Sequence, residues 1–288
     1  MCKVVDRLQE AVKHINTSST ILSIQPDRQD PKCASLTISS DGEIVERPGF
    51  HHIVFATQAP TAASILTTYP NSLPDALAHR KEKILPLIQC LKTFETRPSV
   101  VINHTDDSLL PDHDRDIREL NLISAIPGTI SATESKTVSL YQVPETYTMA
   151  TQVLRGPKEY IRGQPHIFQT TNPIVPPRRD SIMSIAKLDR AVVTKESKKA
   201  LGLLSEKESK KWWQCPYQAQ MRLGPLQGCR PLSEPAAPGI WVCGAFAHSG
   251  IPLLEGCVVS ARNVVEQGIL RAEGIKWREE PWNRDIDL

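Results

Sequence analysis

The residues best suited to chemistry lie in one stretch, GIWVCGAFAHSGIPLLEGCVVSARNVVEQG, from Gly239 to Gly268. Gly244 and Gly250 leave a loop backbone bare, so a ligand can approach it closely. A helix follows, opening at Leu254-Glu255-Gly256, with Gly256 and Ser260 keeping one flank narrow. A helix N-terminus offers free N–H groups and the positive end of its dipole. That suits a phosphate, or a ring on which negative charge develops.

Other groups invite chemistry less directly. His51 and His52 are a pair that could hold a metal, but no partner ligand stands at a useful spacing, so a solvated strand edge is expected. His104, Asp106, Asp107, Asp112, His113 and Asp114 crowd a turn-rich segment; such loops are ordinarily solvated turns, and no metal is expected. Trp212, Trp213 and Tyr217 concentrate aromatic surface in a chain with only 5% aromatic residues. They read either as substrate-facing rings or as packing at a domain seam. No G-x-S-x-G occurs, and no Ser/His/Asp set stands out, so a hydrolase has little support.

These groups need elements to hold them. Ile240 to Val242 is an apolar run with the look of a buried strand. Leu254, Val258, Ala261, Val265 and Ile269 recur at helical spacing and are expected to share the buried face of a helix that Gly268 terminates. Pro252 fits its first turn. Upstream, Val4 to Ile15 predicts an amphipathic helix, and Thr20–Ile24, Ala34–Ser39 and Glu43–Val45 predict strands, the last two joined at the Asp41-Gly42 turn. Ile53 to Phe55 predicts a buried strand ending in Ala56-Thr57, with a helix over Ala59–Thr67. Pro74 to Leu87 predicts a helix broken at Pro86, and Leu91 to His104 two extended segments around Pro98. Leu120–Ala125, Thr137–Tyr141, Ile167–Val175 and Ser184–Val193 read as strands, Tyr147–Leu154 as helix or strand, and Thr194–Leu204 as a helix.

Two of these segments together carry a resemblance. A strand ending in Ala56-Thr57 before a helix, and a strand running into Gly244 before a helix that opens Leu254-Glu255-Gly256, resemble the FAD-dependent amine oxidase superfamily. The runs VVINHTDDSLLP, RDIRELNLIS and IFQTTNPIV resemble the substrate domain of predicted FAD-binding oxidoreductases in it. The resemblance implies an α/β (α+β) fold, with a partial FAD/NAD(P)-binding Rossmann-like domain and an inserted mixed-sheet substrate domain. It implies that Ala56, Thr57, Gly244, Ala245, Pro252, Leu253, Leu254, Glu255 and Gly256 face an FAD, and that Trp212, Trp213 and Tyr217 contact a small-molecule substrate. The expected division is 1–66 for the partial FAD domain, 67–236 for the substrate domain, 237–270 for the return to the FAD domain, and 271–288 for a peripheral tail.

One feature of the superfamily is absent. No G-x-G-x-x-G occurs in these 288 residues, so the strand, loop and helix that cradle a pyrophosphate are not in this sequence. A parallel sheet lacking those strands is expected to leave Ile53–Phe55 and Ile240–Val242 at an open edge. Two readings follow. One is an FAD-dependent oxidoreductase represented by its C-terminal part, with no catalytic side chain assignable. The other is a non-catalytic remnant that binds or docks without flavin.

Composition narrows the class. The chain is 40% hydrophobic and 23% charged, with a net charge of +2 and no basic block, so no nucleic-acid partner is expected. Twenty-three prolines predict interrupted elements. Seven scattered cysteines without a CxxC pair fit a reducing, cytoplasmic setting rather than a disulfide framework. No apolar run reaches transmembrane length.

Overall fold

The computed structural model describes residues 2–124, 148–154, 166–207, 221–229, 237–249 and 254–276. The chain forms two units, one built from Met1–Glu95 with Val193–Leu288, the other from Thr96–Val192. Helices and strands are mixed in an α+β arrangement.

The first unit opens with helix α1 (Cys2–Gln9), shorter than its pattern predicts. Val5, Leu8, Val12 and Ile15 are all exposed, so no packing extends the helix past Gln9. Strands β1 (Ser19–Pro26), β2 (Ala34–Ser40) and β3 (Glu43–Phe50) form an antiparallel meander. Asp41 and Gly42 both take positive φ, 50° and 87°, between the paired Ser40 and Glu43. This is the two-residue turn whose twist matches that of a hairpin.

Strand β4 (His52–Phe55) follows, then helix α2 (Ala59–Ser72), with Pro60 in its first turn. Helix α2 lies against β1: the Thr68 hydroxyl accepts from the Ile24 amide at 2.8 Å, and Leu66 and Tyr69 are buried. A 3-10 turn at Asp75–Leu77 leads into helix α3 (His79–Lys92). Pro86 does not break this helix, contrary to the sequence pattern. The proline costs about 3 kcal/mol, but Ile84, Leu87, Ile88 and Leu91 are buried along α3, at about 2 kcal/mol each.

The second unit is a five-stranded sheet. Its strands are β5 (Thr96–His104), β6 (Leu120–Ser124), β7 (Thr148–Leu154), β8 (Ile167–Thr171) and β9 (Ile182–Ala191), in the order β6-β7-β8-β5-β9. Every neighbouring pair is antiparallel, so the sheet is not the mixed one expected. Pro98 sits inside β5, yet β8 pairs only with Val101 to His104. The proline therefore lies where the strand has β9 alone as neighbour. Asn172 ends β8 at φ 51°, its side chain accepting from the Val100 amide at 3.0 Å.

The chain then re-enters the first unit through helix α4 (Lys195–Leu204), capped by Thr194 and Ser197 reciprocally. Strands β10 (Ser205–Lys207) and β11 (Met221–Leu223) pair antiparallel. Strand β12 (Gly239–Val242) pairs in parallel with β4. Helix α5 (Leu254–Asn263) runs on through a π-helical turn, Val264–Ile269, to Ala272. Gly268 does not terminate it. The inserted unit, 96–192, is narrower than the expected 67–236. Helices α2, α3 and α4 bury Leu66, Leu87, Leu91 and Leu204 with Ile53, Phe55, Ile240 and Val242, which ties them to the parallel strands.

Candidate functional site

The parallel pair β4–β12 organises the candidate site. Ile240 lies opposite Ile53, and Val242 opposite Phe55. Alternation sends these four side chains to one face, where the three helices cover them. Trp241 and Cys243 go to the other face and pack against Val264. The side chains are not exposed as expected: of the six residues, only Val54 is exposed, at 41%, while among the described residues β4 pairs with no strand besides β12. The outer edge of β12 is closed. Gly228 exchanges two backbone hydrogen bonds with Ile240, at 2.8 and 3.1 Å. The Gln227 amide accepts from the Val242 N–H and donates to its carbonyl, both at 2.9 Å.

Parallel pairing brings the two loop signatures together. The Cys243 amide donates to the Phe55 carbonyl at 2.9 Å, so Ala56-Thr57 and Gly244-Ala245 leave adjacent strands at the same, carboxyl end. Ala56 and Thr57 are exposed, and Gly244 and Ala245 half-buried. Ligands of open α/β sheets bind at this end of the strands.

Gly244 is held by the chain itself. Its φ of 138° is open only to glycine in practice. The Ser260 hydroxyl accepts from its amide at 2.9 Å, and its single proton has two acceptors at 3.1 Å, the Gly244 and Cys257 carbonyls. Ser260 thus fixes the loop and takes up the Gly244 N–H.

Helix α5 presents a different face from the one expected. Gly256, Ser260, Val264 and Gly268, four residues apart, are buried. Leu254, Val258 and Val265 are exposed at 65%, 42% and 45%. The reason lies in what stands beneath. A Cβ on Gly256 would meet His248 Cβ at 3.2 Å, and one on Gly268 would meet Trp241 Cζ3 at 2.5 Å. Only small residues fit that approach, so the narrow flank of the helix is filled by its own chain. Leu254 and Glu255 are exposed, while Pro252, Leu253, Gly250, Trp212, Trp213, Tyr217 and residues 137–141 fall outside the described residues. A hollow of about 420 Å³ along α2 is lined by Pro60, Ala63, Ser64, Thr67 and Lys92, and by none of the expected flavin-facing residues.

Of the two histidines expected at a solvated strand edge, His51 is exposed and His52 departs from the expectation. His52 is half-buried: its Nδ1 accepts from the Trp241 indole at 3.0 Å and its Nε2 lies 2.7 Å from Glu273. His51 is exposed, and the fold sets Asp30 and Cys33 beside it. Sequence reading missed these partners because a hairpin separates them from His51; the Asp-x-x-Cys spacing across a proline turn was the available signal.

In the second unit His104 and Asp106 are buried rather than solvated. His104 Nδ1 accepts from the Asp106 amide, so Nε2 carries the proton and donates to Thr170 at 2.7 Å. Thr170 in turn bonds Thr151 at 2.9 Å. Burial pushes the His104 pKa down, against the pull of Asp106. Burial also pushes Asp106 up, but the Arg178 amide, Ser108 and the Arg178 charge outweigh it and hold the carboxyl below its ordinary range. This is a closed structural network.

The chain matches no known protein family and no curated protein sequence. Among the described residues, no helix is long and apolar enough to cross a membrane.

Proposed function

We propose that this chain is part of an FAD-dependent oxidoreductase of the amine oxidase type, acting on a small-molecule substrate. The observation that carries the reading is the juxtaposition of Ala56-Thr57 with Gly244-Ala245 at the carboxyl ends of two parallel strands, each followed by a helix. The fit to a flavin is partial. The small, accessible residues 56, 57 and 245 suit the edge of a planar ring, and Gly256 in the first turn of α5 approaches Ala245, a Cβ there lying 3.5 Å from its Cα. The G-x-G-x-x-G motif of a pyrophosphate cradle does not occur in the sequence. A flavin held by residues 56, 57 and 245 would supply a hydride acceptor for a C–H next to nitrogen or for a desaturation. The chain's own part is to orient the ring, Ser260 holding the Gly244 loop in place.

A second reading, a binding module without flavin, draws on Ser260 and on Gln227. The first occupies the Gly244 amide and the second closes the outer edge of β12, so both groups are taken up without a cofactor. The test is to incubate the purified chain with FAD, desalt it and record its absorbance. Flavin bands that elute with the protein and bleach on anaerobic reduction support the oxidoreductase. A colourless protein overturns it and leaves the second reading.

A further inference from the structure

Three chemically different ligand atoms meet at the β1–β2 connection. The Asp30 carboxylate, the Cys33 thiol and a ring nitrogen of His51 all lie within 4.8 Å of one another. Cys33 Sγ is 3.6 Å from Asp30 Oδ2. The ligand-to-ligand edge of a zinc tetrahedron, from bonds of about 2.0–2.3 Å, is ~3.3–3.8 Å. One edge is therefore already at that length, and the others close by an adjustment of about 1 Å in the exposed His51 ring.

Hydrogen bonds of the chain itself shape this corner. Pro31 sits second in a turn closed by the Cys33 amide on the Asp30 carbonyl at 2.9 Å. The Lys32 amide donates to Asp30 Oδ1 at 2.9 Å, and buried Arg80 donates to the Pro31 carbonyl at 2.9 Å. Asp27 joins the two halves. Its carboxylate accepts from the amides of Gln29 and Asp30 on the loop, from the Ser35 hydroxyl, and from the Gly49 amide at the end of β3, two residues before His51. The Gln29 and Asp30 amides above all hold its pKa at about 2. Ligands fixed in advance lose little freedom on binding.

We propose that Asp30, Cys33 and His51 bind one divalent cation of borderline softness, zinc foremost, with a fourth position open to solvent. Sulfur and imidazole disfavour magnesium and calcium, which take oxygen. On binding, the Cys33 S–H bond breaks, its proton goes to solvent, and the thiolate coordinates the metal with no change of oxidation state.

Cobalt(II) alone, titrated into the reduced, chelator-stripped full chain, tests the proposal. One equivalent is expected to give a sulfur-to-cobalt charge-transfer band and intense tetrahedral d–d bands, both displaced by zinc. Cys33→Ser is expected to abolish the charge-transfer band. Asp30→Asn, which keeps the acceptor for the Lys32 amide, and His51→Ala, at an exposed position, are each expected to weaken binding ~10-fold or more, with the far-UV circular dichroism unchanged. Cys90→Ser and Cys229→Ser are expected to keep the full spectrum. Absence of the band in the wild-type chain, its survival in Cys33→Ser, or undiminished affinity in His51→Ala overturns the site.

Discussion

The six-membered ring of Trp241 stands where a side chain on Gly268 would begin: a Cβ there would lie 2.5 Å from Cζ3. A Cβ on Gly228 would lie 2.9 Å from Cη2 of the same ring, and one on Gly239 would meet His52 Nδ1 and, at 2.7 Å, the indole nitrogen of Trp241. Gly268→Ala is therefore expected to destabilise the first unit by about 1–3 kcal/mol through overpacking, read by chemical denaturation. In the Trp241→Leu background the same change is expected to cost less, giving a coupling energy in a double-mutant cycle. Additive losses would separate the two residues.

Ser260 bonds both backbone groups of Gly244 while 6% exposed. Ser260→Ala leaves the half-buried Gly244 amide without its side-chain partner, at about 0.5–1.5 kcal/mol. A lowered denaturation midpoint with unchanged cooperativity is expected; an unchanged midpoint would mean the bonds contribute nothing net.

Ala56 is exposed, so Ala56→Glu is expected to leave stability within about 0.5 kcal/mol of wild type. On the oxidoreductase reading it places a negative charge against the ring edge and abolishes FAD retention after desalting. Equal retention would remove residue 56 from the site. Gly256→Glu is a poorer probe, because its side chain would first meet His248 of the same chain.

His104 gives the second unit an acid limit. Burial lowers its pKa, so the unfolded chain takes up a proton that the folded chain refuses. The stability is whole above the unfolded value of about 6.5 and is lost as pH falls from there toward the folded value. Asp106, held below the ordinary carboxyl range, stays ionised through this window. Thermal unfolding between pH 7 and 5 is expected to show that decline, and His104→Asn to remove it at a lower overall stability. A flat profile in the wild-type chain would rule this out.

What the sequence settled by itself is local. The Asp41-Gly42 turn follows from which residues tolerate positive φ. The strands at Ile53–Phe55 and Ile240–Val242 follow from apolar runs bounded by turn residues. All of these are written in short windows. Tertiary structure decided the rest. The apolar period of α5 was legible, but the buried face went to Gly256, Ser260, Val264 and Gly268, because the ring of Trp241 and the loop at His248 leave space only for small residues. Burial of four side chains carried α3 through Pro86 against local propensity. The meeting of Asp30 and Cys33 with His51, and of Ala56 with Gly244, depends on strand pairing between distant segments, which no local spacing encodes.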